Sequence, residues 1–113
     1  MFSGCTSLTS APELPATTLV AECYESMFEG CTSLTSAPEL PATTLAEYCY
    51  LGMFENCTSL NNVTHHITSW NTNHAQDWLK GVAASGIVKC PSNSTIPSNS
   101  NSGIPSGWTR ENL

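Results

Sequence analysis

Basic side chains are scarce in this sequence. Its 113 residues include three Lys plus Arg against nine Asp plus Glu, a formal net charge of −6, and only 11% of residues are charged. Three cations cannot neutralise a run of phosphates, and the acidic balance repels a polyanion, so no nucleic-acid partner is expected. Long hydrophobic runs are missing as well. No apolar stretch approaches the roughly 20 residues of a spanning helix, so no membrane span is expected. Six cysteines in 113 residues, about 5%, fall below the roughly 8–10% of a disulfide scaffold, and bridging does not follow from composition. Neither a Cys-x-x-Cys pair nor a Gly-x-Ser-x-Gly turn occurs, which removes the usual zinc-knuckle and hydrolase signatures. The chain is read as non-enzymatic, with no catalytic residue, no metal and no cofactor assigned.

What is there is unevenly placed. Glu13, Glu22, Glu25, Glu29, Glu39, Glu47 and Glu55 all lie before residue 56 with no Lys or Arg among them, whereas Asp77 and Glu111 face Lys80, Lys89 and Arg110 in the remainder. An internal repeat accounts for the acidic half. Met1-Phe2, Met27-Phe28 and Met53-Phe54 recur at a step of 26, and residues 1–26 match residues 27–52 at 20 of 26 positions. The differences fall at 3, 20, 21, 22, 25 and 26. A third copy holds from Met53 to Leu60 and then diverges.

A 26-residue unit lies in the range of leucine-rich-type repeats. Within it, Leu34-Thr35-Ser36-Ala37 suits a short strand that stops at Pro38, which cannot donate to a ladder. Leu45, Cys49 and Met53 fall at i, i+4 and i+8 with Tyr50 and Phe54 beside them, and this stripe predicts a helix over 45–54. Thr43 or Thr44 can cap its start, and Gly30 or Asn56 can end such a segment in a left-handed conformation. A unit of one strand and one short helix cannot bury its apolar face alone, so units are expected to stack. Leu8, Leu34 and Leu60 then form one core column, and Met1, Met27 and Met53 another. Phe28, Phe54, Cys31, Cys57 and Trp78 are expected in the same core.

The string Met27-Phe28-Glu29-Gly30-Cys31-Thr32-Ser33-Leu34-Thr35-Ser36-Ala37-Pro38-Glu39-Leu40-Pro41-Ala42-Thr43-Thr44-Leu45-Ala46 resembles the repeat of the BspA-like leucine-rich repeat proteins of bacterial surfaces. Residues 78–86 and 102–109 resemble the segment that closes such arrays. The resemblance implies an α/β fold, a right-handed leucine-rich-repeat solenoid at the cell surface or outside the cell, contacting a protein partner or a host surface protein. It brings no catalytic residues.

The organisation expected from both readings is repeats over 1–60, with units starting at 1, 27 and 53. A divergent last repeat with a capping helix and strand follows over 61–90, and a Ser/Asn/Pro/Gly-rich loop and cap tail over 91–113. Thr72 or Asn73 can open the capping helix, with Ala75, Trp78, Leu79 and Val82 on one face and Gly86 at its end; Ile87–Cys90 reads as a strand. Residues 91–107 read as a polar, mobile loop. The start of the chain coincides with the interior of a unit and has neither a cap nor a basic leader, so the sequence is expected to be part of a longer array, open to self-association through residues 1–26.

Three residue sets invite a functional reading. The cysteines fall in register as Cys5, Cys31 and Cys57 and as Cys23 and Cys49, with Cys90 apart. Free thiols in small buried sites are expected, a bridge such as Cys23 to Cys31 being the alternative in an oxidising space. His65 falls 26 residues after Glu39, which falls 26 after Glu13, so a Glu-Glu-His column along the strand face is conceivable. A solvated acidic column is the simpler expectation. Sequons at Asn56, Asn62 and Asn93 follow from composition. The candidate contact surface is Glu13, Thr35, Ser36, Glu39, His65 and His66. Because units 1 and 2 are nearly identical at these exposed positions, a structural spacer or display stalk is the alternative, with the helical face or residues 61–74 the better contact surface if the repeats bind at all.

Overall fold

The computed structural model describes residues 2–14 and 16–113. Three short strands form one parallel sheet in the order β1-β2-β3: β1 is Asn62–Thr64, β2 is Gly86–Cys90 and β3 is Trp108–Asn112. β1 pairs with β2 as Asn62↔Ile87, Val63↔Val88 and Thr64↔Lys89, and β2 with β3 from Gly86↔Trp108 to Cys90↔Asn112. Val63, Val88 and Cys90 point inward and are buried, as the period-2 alternation of a half-covered sheet requires. Beyond β1 the pairing thins to isolated parallel bridges, Ser36↔Asn62 and Ser10↔Ser36.

There are no helices among the described residues, and this overturns the α/β leucine-rich-repeat solenoid. Over 45–57, alternate N–H groups part company. Those of Cys49, Leu51, Met53, Glu55 and Cys57 reach back three residues, while those of Tyr50, Gly52, Phe54 and Asn56 donate to carbonyls of residues 74–80. Tyr48, Gly52 and Asn56 have φ of 53°, 58° and 63°, which an α-helix with φ near −63° cannot contain. The result is a ribbon of tight turns with a left-handed residue every fourth position. Gly30 and Asn56 are left-handed as expected, but as members of this series, not as helix ends. The capping helix over 72–86 fails likewise: Asp77 (φ 55°) and Gly81 (φ 78°) belong to a second ribbon, and Trp78 and Lys80 donate three residues back. The strand expected at Leu34–Ala37 is only a bridge at Ser36. The strand read at 87–90 lies at Gly86–Cys90.

The overall form is a small globule with extents of 35 × 30 × 22 Å and a radius of gyration of 12.3 Å, near the ~13 Å of any folded chain this long. Its core is a set of side chains repeated at the unit spacing. Phe2, Phe28 and Phe54 stack with centroids 5.4 Å apart at each step and ring planes 3° from parallel, and Tyr24 stacks on Tyr50 at 6.3 Å. Leu34, Leu60, Phe28, Phe54, Met53, Cys31, Cys57 and Trp78 are fully buried, but Leu8 and Met27 are only half-buried. The column through Met1 lies outside the described residues at that end.

Residues 91–107 are not the mobile polar loop expected. Ser94, Ile96, Gly103, Ile104 and Pro105 are buried. Trp70 Nε1–H donates to the Ser102 carbonyl (2.7 Å) and Trp78 Nε1–H to that of Gly103 (2.8 Å). The Arg110 guanidinium donates to the carbonyls of Ser94, Pro91 and Ser92. Aromatic and guanidinium donors from outside the segment satisfy its backbone, and this lets a Ser/Asn/Pro/Gly stretch hold one shape.

Candidate functional site

The candidate residues separate into an exposed group and a buried one, and a missing residue divides them. Between Ser36↔Asn62 and Leu40↔His65 the spacing falls from 26 to 25. The Ala37 N–H donates to the Asn62 carbonyl and the Leu40 N–H to that of Thr64, so one position between Ala37 and Leu40 has no counterpart. A slip of one residue exchanges the two faces of an extended chain. His65 therefore does not extend the Glu13, Glu39 column. It takes the inward place of Leu40, and its relative exposure is 0%.

His65 is held as a neutral ring. Its Nδ1 accepts the Ile67 N–H at 3.0 Å, which leaves the proton on Nε2, and that atom has no partner among the described residues. Trp70 lies 4.7 Å away between ring centroids and Trp78 6.1 Å away. Tyr50 completes the aromatic cluster, 5.8 Å from Trp78, with its own buried hydroxyl unpartnered. Desolvation, reinforced by the charges of His66 and Arg110, pulls the His65 pKa from 6.5 down to about 3. Burial also drives the Tyr50 hydroxyl far above the ordinary tyrosine range. A group that stays neutral across the working range and meets no solvent cannot serve as an exposed contact or a proton carrier.

The other group is Glu13, Thr35, Ser36 and Glu39, all exposed, with His66 half-buried beside them. Glu13, Leu14, Glu39 and Pro41 line a cleft of about 170 Å³. His66 Nε2 meets Glu39 Oε2 at 2.9 Å, so the histidine beside the acidic pair is His66, reached because the slip turned its neighbour inward. Ser36 Oγ accepts from Asn62 Nδ2 at 2.9 Å and the Thr35 carbonyl accepts the Asn61 N–H, so these two belong to the polar seam beside β1 and not to the cleft. A space of this size is below the ~300–1,000 Å³ of small-molecule pockets and suits a single side chain.

All six cysteines are free. Cys31, Cys49, Cys57 and Cys90 are buried as expected, but Cys5 and Cys23 are exposed, so small buried sites do not describe the first unit. The Cys31 thiol donates to the Phe2 carbonyl and the Cys57 thiol to that of Phe28, both at 3.0 Å. Burial pushes Cys49 up to about 11 and Cys57 up to about 12, which suppresses thiolate chemistry at both. Among the described residues, no group of three metal-ligating side chains converges, and no helix is long and apolar enough to cross a membrane.

Sequence reasoning missed Trp70, and it marked Asn62 only as a sequon, not as a partner of Ser36. The signal that could have shown the shifted register is the spacing: Asn56 to Gly81 and Met53 to Trp78 are both 25, one short of the step of 26. Comparison with known proteins adds nothing to this geometry, since no family model, no curated protein and no solved structure matches the chain.

Proposed function

We propose that this chain is a non-enzymatic protein-binding module whose contact surface is the cleft between Glu13 and Glu39, flanked by His66. The observation that carries the reading is that cleft: two carboxylates and two apolar side chains, Leu14 and Pro41, lining a space sized for one side chain. On a chain with net charge −6, the complementary group is a basic side chain with an apolar stem, a Lys or Arg of a protein partner. The likeness of residues 27–46 to BspA-like surface proteins supports a setting at the cell surface and a host or matrix protein as partner.

The test is a titration of the isotope-labelled chain with a short Lys-Leu-Lys peptide, followed by extracellular proteins bearing such segments. Amide shifts of Leu14, Glu39 and His66 are expected, and E13Q/E39Q is expected to weaken binding by more than tenfold, about 1.4 kcal/mol. The second reading, a structural spacer, rests on the 20-of-26 identity of units 1 and 2, because a recognition surface usually varies from unit to unit. A change within about 0.5 kcal/mol, the scale of a neutral surface substitution, would favour the spacer.

A further inference from the structure

Each layer of the turn ribbon donates on one side and accepts on the other. The N–H groups of Glu22, Tyr24 and Ser26 donate to the carbonyls of Glu47, Cys49 and Leu51, and those of Tyr50 and Gly52 donate onward to His74 and Gln76. In the first layer the carbonyls equivalent to Glu47, Cys49 and Leu51 are those of Ala21, Cys23 and Glu25. No donor among the described residues reaches them. The side chains on that flank are uncovered as well: Cys5 and Cys23 are exposed where Cys31 and Cys49 are 0% exposed, and Phe2 and Tyr24 are half-buried where Phe28 and Tyr50 are 0% exposed.

We propose that this outer face of residues 2–26 is a docking surface for a polypeptide segment of the same 26-residue pattern. The segment lies parallel to unit 1, aims its alternate N–H groups at the carbonyls of Ala21, Cys23 and Glu25, and sets its phenylalanine on Phe2. Two observations choose this occupant. The first is continuity with the existing interface, in which Phe2, Phe28 and Phe54 are spaced at 5.4 Å with planes 3° apart, so a further ring enters the same stack. The second is polarity. The ribbon of unit 1 offers acceptors only, so two copies of this chain meeting through the same face would bring carbonyl rows together with no proton between them. Docking here is independent of the Glu13–Glu39 cleft.

The experiment compares the chain with one extended at its N-terminus by a second copy of residues 27–52, carrying Cys31→Ser and Cys49→Ser in the added copy alone. Native-state maleimide labelling is followed at each cysteine by mass spectrometry. Labelling of Cys5 and Cys23 is expected to slow by about tenfold or more on extension, while Cys31, Cys49, Cys57 and Cys90 of the original chain stay slow in both and report an intact fold. Tyr50→Pro in the added copy removes the donor to Cys23 and is expected to restore much of the Cys23 labelling. Equal labelling with and without the extension would overturn the proposal. So would protection that survives the proline, or protection of the same thiols in the unextended chain as it dimerises with rising concentration, which would make a second copy the occupant.

Discussion

Replacing His65 with Leu should make the protein more resistant to acid without greatly changing its stability at neutral pH. The native ring is neutral, with a pKa of about 3 against 6.5 for an exposed histidine. Between those values the unfolded chain binds a proton that the folded chain refuses. Stability from this site is therefore fully present above about pH 6.5 and is lost progressively as pH falls towards about 3. At pH 4.5 the loss spans about two pH units, or about 3 kcal/mol, a large part of the ~5–15 kcal/mol of an ordinary domain. Leucine at 65 repeats the residue that Leu40 places in the same column. It removes an unpartnered Nε2–H but strands the Ile67 N–H, two effects of ~1–3 kcal/mol that oppose one another. Urea unfolding followed by the fluorescence of Trp70 and Trp78, which flank the ring, measures both proteins at pH 7.5 and 4.5. The wild type should lose about 2–3 kcal/mol more than H65L between the two. The difference between the proteins cancels the carboxylates, including Glu25 and Glu55, whose raised pKa values act in the opposite direction. A differential loss below about 1 kcal/mol would show that the folded state accepts the proton, and the reasoning would fail.

Other substitutions probe the packing. Leu34→Ala, at 0% exposure, should cost about 2–5 kcal/mol in urea unfolding, whereas Leu8→Ala at the half-covered end of the same column should cost distinctly less. Gly86→Ala should cost more than about 2 kcal/mol and broaden the unfolding transition, because a Cβ there meets the Asn61 carbonyl at 2.5 Å and the Trp108 ring at 2.7 Å, at the starts of β2 and β3. Tyr50→Phe should leave stability unchanged or raise it by about 1 kcal/mol, since the hydroxyl it deletes is buried without a partner; a loss above that size would mean the hydroxyl has a partner.

The repeat was legible in the sequence and its local conformation was not, for a specific reason. Leu45, Cys49 and Met53, with Tyr50 and Phe54 alongside, recur at intervals of four. A helix of 3.6 residues per turn satisfies that spacing over two turns, and so does a ribbon whose chain reverses every fourth residue. What separates them is the fate of the N–H groups. In a helix each donates within its own segment, whereas here alternate ones cross to the next unit, a choice that depends on a neighbour 26 residues away. Glycines carried a partial signal. Gly4, Gly30 and Gly81 mark left-handed turns, but Glu22, Ser26 and Tyr48 occupy the same conformation with side chains that no local rule assigns to it. The polar tail misled for a related reason, because the groups that order it, Trp70, Trp78 and Arg110, lie outside it.

For the candidate site the decisive event is a single deletion. Glu13 and Glu39 follow from the step of 26 and do share a cleft, but extending that step mechanically puts His65 on the surface. Unit 3 has one fewer residue opposite Pro38 and Glu39, and side chains alternate along an extended chain, so the slip exchanges the fates of two adjacent histidines. One becomes a neutral core ring against Trp70; the other reaches Glu39. Two residues of identical chemistry thus acquire opposite roles from register alone. The His66–Glu39 contact and the acid-sensitive core are consequences of the same missing residue, so restoring the step of 26 by inserting a leucine after His65 should bring His65 level with Glu39 on the surface, seat the leucine in the inward place opposite Leu40, and move His66 out of reach of Glu39 together.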